Sequence, residues 1–381
     1  MRLIINTASA DRGGSIQVAL SFLEECKGIS EHQYFVFLSP NLRKEQVGVE
    51  SFPGNFRFYE MDQRPSSRVF SMRPMSRLFT QLEAEIQPDC VFTTSGPAYW
   101  RPQAPHLIGY NLPHYIYRDS PFWSRVQFRD RLLFNLKGLL IRWFFRRDGD
   151  AYVVQTDDVN ERLKHFLGKA GAHTVSNTCS SAYRVRKHFP DKLPLKREGE
   201  FRVLTVSALY IHKNLEIIRE VVHELRLREF PGVRFILTIP QSDYDAVFGD
   251  DYLSEVMTVG PVPPVECPSL YEECDAMFLP TLLECFSASY PEAMMMQKPI
   301  LTSDLGFAKT VCGEAAVYFD PLNASDITDK FECLVGSADQ RARLIKLGLE
   351  CVQRFKTPRQ RALAFLELCQ DLVVSKSQPK C

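Results

Sequence analysis

The chain has 381 residues, enough for about two domains that each bury a core of their own. Its 46 basic and 46 acidic residues cancel, which leaves no global field for a nucleic-acid partner and makes any electrostatic preference local. The eleven cysteines occur singly, with no CxxC or Cys/His spacing, so neither a disulfide framework nor a zinc site is expected; reduced thiols in a cytoplasmic protein fit the pattern.

The opening "MRLIINTASADRGG" lacks the length and cleavage site of a signal peptide, and no apolar run reaches the roughly 18 residues that cross a bilayer. A soluble or peripheral protein is expected. Five short β-rich runs, 3–7, 33–39, 90–94, 106–110 and 151–156, alternate with stretches of helical periodicity, the pattern of a doubly wound parallel sheet. Residues 1–177 therefore read as a first α/β domain, and the polar, basic stretch 178–199 as an interdomain connection. The alternation restarts with strands at 201–207, 233–239, 275–280, 299–304 and 315–320, which defines a second α/β domain over 200–356. Residues 357–381 supply a terminal helix expected to pack back on the first domain. In such sheets ligands gather at the carboxyl ends of strands, so the expected site is a cleft between the two domains.

Four stretches carry candidate chemistry. In the first domain, "ADRGGSIQVAL" places Gly13 and Gly14 in a strand-to-helix turn, where backbone can approach a ligand and Ser15 can start the helix; the dinucleotide fingerprint GxGxxG is absent. In the second domain, "VSALYIHKN" sets Lys213 at the opening of a helix, able to neutralise phosphate or simply to be solvated. Farther on, "ECFSASYPE" presents Glu284 and Glu292 around a short helix that Pro299 must end near Lys298. Eight residues of helix rise about 12 Å, so one carboxylate can hold sugar hydroxyls while the other holds a ribose. Alternatively Ser289 and Glu292 form a capping box and the second acid is structural. The DxD-like "DGD" (148–150) and "DYD" (243–245) read as turn acids rather than a metal site.

The fourth stretch, 124–147, interleaves seven basic residues with Phe128, Phe134, Trp143, Phe144 and Phe145. Leu132, Leu133, Leu136, Leu139 and Leu140 are available as a buried face, and the basic, aromatic character also suits peripheral contact with an anionic membrane. Such contact would favour a lipid-linked acceptor.

The stretch 270–321 resembles the donor-binding region of retaining glycosyltransferases of family 4, within glycosyltransferase group 1. The shared pattern is a strand, a proline, E-x-[FY]-[GS]-x4-E, an "EAM" and a proline opening the next strand; Glu284, Phe286, Ser287, Glu292, Ala293, Met294 and Pro299 match it. Lys213-Asn214, "VVQT" (153–156) and the Gly13-Gly14 loop extend the resemblance over most of the chain. It implies a GT-B fold, two Rossmann-like domains facing each other across a cleft. It further implies metal-independent transfer of a hexosyl unit, with retention, from a nucleotide-sugar donor to a saccharide or lipid-linked saccharide. Cell-surface glycan or polysaccharide synthesis on the inner face of the membrane is the setting it suggests. No cofactor is implied beyond the nucleotide-diphosphate sugar itself.

By the same resemblance Glu284 contacts the transferred sugar as a catalytic residue, Glu292 binds the ribose, and Lys213 neutralises the leaving diphosphate. Phe286 and Ser287 amides, Gly13, Gly14 and Asn214 complete the donor site, and His114 in "GYNLPHYIY" is the matching catalytic histidine of the first domain. His106 is expected inside its strand. Two departures stand out: Ala208 replaces an arginine usual in the family, and Gln297-Lys298 replaces the glycine after the helix. Rival readings keep the fold but change the role, to a nucleotide-sugar epimerase, a sugar phosphorylase or a catalytically weak partner subunit.

Overall fold

The computed structural model describes every residue except 12, 45–47, 66–71, 170, 250–252 and 378–381. It divides into two compact units: one of residues 1–116, 128–177 and 356–381, the other of 117–127 and 178–355. This differs from the expected boundaries in two places. Residues 117–127 belong with the second unit, and 178–199 is part of that unit rather than a separate connection. Phe189 N–H donates to Ser269 Oγ (3.2 Å), Leu193 N–H donates to Glu273 (2.7 Å), and Lys196 pairs with Asp275 (2.6 Å). The stretch lacks periodicity because, apart from the 3-10 turn Ser181–Tyr183, it forms no regular element, yet backbone N–H groups of Phe189, Lys192 and Leu193 are met by side chains of the unit it lies on.

The first unit holds a seven-stranded parallel sheet of β1 (Arg2–Asn6), β2 (Gln33–Leu38), β3 (Phe56–Glu60), β4 (Cys90–Thr93), β5 (His106–Gly109), β6 (Ala151–Val154) and β7 (Ala172–Thr174). Its strand order is β3-β2-β1-β4-β5-β6-β7. Strands β1, β4 and β5 are almost wholly buried, which is why they read as continuous apolar runs. The helix Pro358–Ser377 completes this unit's core: Phe365 packs on Phe22 and Phe92 with ring centroids 5.7 and 5.1 Å apart.

The helix Phe128–Asp148 departs from expectation. Leu132, Leu133, Leu136, Leu139 and Leu140 are 51–65% exposed, so they are not its buried face. It packs instead through Phe134, Gly138 and Phe145, with Phe134 against His114 and Phe145 against Tyr110 (5.0 Å) and Tyr152 (6.0 Å). At 3.6 residues per turn the helix therefore carries two apolar faces, and the leucine face, which also bears exposed Trp143, is the outward one.

The second unit holds a six-stranded parallel sheet of β8 (Phe201–Thr205), β9 (Val233–Leu237), β10 (Val256–Thr258), β11 (Ala276–Leu279), β12 (Ile300–Ser303) and β13 (Ala316–Phe319). The order β10-β9-β8-β11-β12-β13 reverses between β8 and β11. A reversal splays the two following loops to opposite faces and leaves a crevice at the strands' carboxyl ends. No helix among the described residues is long and apolar enough to cross a membrane.

Candidate active site

Lys213 and Glu284 meet at that reversal. Lys213 ends the 3-10 turn Ile211–Lys213 that follows β8, and Glu284 lies in the loop that follows β11. Their side chains form an ion pair, each about one-seventh exposed (14% and 15%), so the pair is sheltered but reachable. The loops are stitched together beneath it. His212 carbonyl accepts from Leu282 N–H (2.7 Å) and from Thr281 Oγ1 (3.0 Å). The His212 ring stacks on Tyr210 at 5.4 Å, and burial, with the Lys213 charge beside it, pushes its pKa down to about 3.

Asn214 occupies the left-handed region (φ 55), a conformation asparagine tolerates better than most residues. It is fully buried, and its amide donates to the carbonyls of Pro280 (3.3 Å) and Pro321 (2.8 Å). Asn214, expected at the donor site, directs its amide donors to these two carbonyls and so ties two loops together beside Lys213.

Glu292 sits on the helix Ser289–Met295. The residue at the helix cap is Ala288, with no side-chain cap, so Ser289 is one position too late to form the capping box that the letters suggest. Glu292 instead accepts a hydrogen bond from the Tyr183 hydroxyl, in surroundings that include Cys179, Cys267 and Tyr271. Burial raises its pKa from 4.5 to about 7, and the Tyr183 hydrogen bond offsets part of that rise. Ser287 is buried, and Phe286 packs edge-on against Phe355 at 5.9 Å. Gln297 (φ 55) takes the left-handed position that ends the helix, with Gln297 N–H donating to Met294 carbonyl (3.1 Å) and Lys298 N–H to Ala293 carbonyl (2.9 Å). The absent glycine thus changes the residue but not the turn.

Lys213, Asn214, Glu284, Phe286, Ser287 and Glu292 all lie in the second unit; Gly13, Gly14 and His114 lie in the first. Gly13 (φ 51, ψ −124) caps the helix Gly14–Cys26, a backbone conformation that only glycine adopts cheaply, and the space beside both glycines is open. The helix begins at Gly14, one residue before the expected Ser15. The His114 ring stacks on Phe134 at 5.5 Å and 12°. His106 is buried in β5, with its ring nitrogens 2.8 Å from Thr93 Oγ1 and 2.9 Å from Asp148 carbonyl. In "DGD", Asp148 pairs with Arg147 at 2.5 Å, and Asp150 accepts from His106 N–H (2.9 Å) and Lys376 (2.7 Å), which are structural duties. Tyr183, the partner of Glu292, was not visible in the sequence, because a lone tyrosine in an aperiodic stretch carries no signal of what it touches.

Residues 200–337 match the family described as glycosyl transferases group 1. Among solved structures the chain is similar to a glycosyltransferase from Rickettsia africae, at 14% identity and a TM-score of 0.72, over 98% of each chain. It is also similar to the sucrose-phosphate synthase of Thermosynechococcus elongatus, at 14% identity and 0.71, over 98% of this chain and 100% of that one. Anabaena HepE in complex with UDP and glucose matches at 14% identity and 0.69, over 99% of each. The shared architecture is the GT-B fold of two Rossmann-like α/β domains. No curated protein sequence matches the chain.

Two outcomes follow from this geometry. Asn214→Ala is expected to lower unfolding stability in urea by about 1–3 kcal/mol, since two buried carbonyls lose their donor, and Asn214→Gly by less, since glycine tolerates the left-handed backbone; equal stability of all three proteins would show that the amide stitches nothing. For Glu292, a raised folded-state pKa means stability is greatest below 4.5 and is lost as pH rises through about 7. The stability of wild type relative to Glu292→Gln should therefore fall across that window, by up to about 1.4 kcal/mol per pH unit, and a flat difference would refute the assignment.

Proposed function

We propose that this chain is a glycosyltransferase that moves a sugar from a nucleoside-diphosphate sugar to a hydroxyl of an acceptor saccharide, with retention at the anomeric carbon. The observation that carries this reading is the Lys213–Glu284 ion pair at the strand-order reversal of the second unit, inside the segment that matches glycosyl transferases group 1. Donor binding opens the pair: the Lys213 ammonium turns to the diphosphate, and the released Glu284 carboxylate accepts hydrogen bonds from the sugar hydroxyls. As the anomeric carbon exchanges its diphosphate oxygen for the acceptor oxygen, Lys213 stabilises the charge that gathers on the leaving group. The acceptor proton departs with that diphosphate. Glu292 receives the ribose hydroxyls, oriented by Tyr183. HepE, which shares the fold, was captured with UDP and glucose, and this supports a donor of the same class here.

The outward leucine face of the helix Phe128–Asp148 supports a peripheral membrane location and a lipid-linked acceptor, on the cytoplasmic side. Lys137 and Arg146 fall at the two borders of the face, and the Arg147 guanidinium stacks 4.5 Å from the Trp143 ring. An apolar stripe edged by cations suits the boundary between acyl chains and anionic headgroups.

Thermal unfolding with UDP, GDP, ADP and CDP tests the donor site. One of them at a hundred times its dissociation constant is expected to stabilise wild type by about 2.7 kcal/mol, with the gain lost in Lys213→Ala; no gain from any would favour a partner subunit that binds no donor. For the membrane, wild type is expected to co-sediment with phosphatidylglycerol vesicles and not with phosphatidylcholine alone. The doubly substituted Leu136→Glu, Leu140→Glu protein should bind about ten-fold or more weakly with an unchanged melting midpoint, whereas equal sedimentation of the two proteins would remove the helix from any membrane contact.

A further inference from the structure

The segment 117–127 is a detour. The chain leaves the first unit after Ile116, joins the second, and returns at Phe128. In the second unit it touches the loops that follow three neighbouring strands, β8, β11 and β12. Its short helix Phe122–Arg125 packs on the 3-10 turn that ends in Lys213. Ser120 Oγ donates to Leu282 carbonyl at 2.5 Å, two residues before Glu284. The Tyr117 ring meets Phe307, in the helix after β12, edge-on at 6.1 Å. The segment is also tied to itself, since Trp123 Nε1 donates to Tyr117 carbonyl (2.9 Å) and Trp123 N–H to Ser120 carbonyl (3.2 Å).

Arg118 lies between the anchors Tyr117 and Ser120. Both Tyr117 and Trp123 are buried, while Arg118 is exposed with its guanidinium 4.3 Å from the Trp123 ring centre. A stacked guanidinium is held in orientation at little further entropic cost and can grip phosphate oxygens in pairs. The charge balance calls for such a group. In the absence of ligand Lys213 is paired with Glu284, and His212 beside it is kept uncharged by burial. A nucleoside diphosphate brings more negative charge than Lys213 alone can meet.

We propose that Arg118, delivered to the second unit from the first half of the chain, is a phosphate-binding residue of the donor site and acts with Lys213 on the diphosphate. The assignment rests on the donor-site reading above. It separates from that reading by a comparison of nucleoside diphosphates with the matching monophosphates. Titration calorimetry of UDP, GDP, ADP and CDP, and of UMP, GMP, AMP and CMP, would be run on wild type, Arg118→Ala and Arg118→Lys. For the diphosphate that wild type binds, Arg118→Ala is expected to weaken affinity on the order of ten-fold or more, the worth of a charge-assisted hydrogen bond. Arg118→Lys should recover part of the loss, and the monophosphate of the same base should change by less than about two-fold. Undiminished diphosphate affinity in Arg118→Ala overturns the assignment. So does an equal loss for mono- and diphosphate, which would mean that Arg118 merely holds the 117–123 knot together. If wild type binds none of the four diphosphates, the donor-site reading itself fails and the role of Arg118 falls with it.

Discussion

The edge of the second unit that carries the Lys213–Glu284 pair depends on one buried amide. At the carboxyl end of a parallel sheet the strands part, the ladder of hydrogen bonds stops, and each buried carbonyl must find another donor. Asn214 Nδ2 serves two of them, at Pro280 beyond β11 and at Pro321 beyond β13. Both acceptors are proline carbonyls at corners where the chain leaves the sheet, and the Asn214 side chain reaches them both. Asn214 is covalently next to Lys213, and Pro280 is four residues from Glu284. The same pair of hydrogen bonds that closes the corners therefore sets the separation of the two charged groups.

Glu284 and Glu292 stand eight residues apart and live in opposite surroundings. One faces an ammonium group; the other is enclosed by phenols and thiols and takes a single hydrogen bond from Tyr183. Their chemistry diverges accordingly. A carboxylate paired with a lysine can be released by a competing anion, whereas one enclosed by weakly polar groups is costly to ionise. Two identical side chains on one short loop and helix thus acquire different partners, a lysine for the first and a tyrosine for the second.

Much of this was legible in the residues, and the failures have physical causes. The interior strands are buried on both faces and announce themselves as apolar runs. Of the edge strands, β3, β7 and β10 are partly exposed, or only three residues long, and gave no comparable run, whereas the edge strand β13 did. Periodicity revealed an apolar stripe of leucines on the helix Phe128–Asp148, but a helix with two apolar faces does not say which of them meets the protein. The spacing of Ser289 and Glu292 imitates a capping box because the pattern is blind to a shift of one residue in where the helix begins. Local sequence likewise holds no sign that 117–127 packs on loops of a sheet whose strands begin more than seventy residues ahead (201 against 127). Such long-range choices are settled by which surfaces remain to be covered, and the contact of Tyr183 with Glu292 was not legible for that reason.

The threading of the chain also bears on synthesis. The first unit's core includes Ala362, Phe365, Leu366 and Cys369, all from the helix Pro358–Ser377. Domains ordinarily fold in the order in which they leave the ribosome, but here the unit begun first lacks part of its interior until the whole of the other has been translated. During that interval the faces of Phe22 and Phe92 that Phe365 will cover stay exposed to water or to chaperones. A nascent chain stalled before residue 358 would hold a finished second unit together with an unfinished first one, so quality control on this protein has its most informative moment as the helix Pro358–Ser377 emerges.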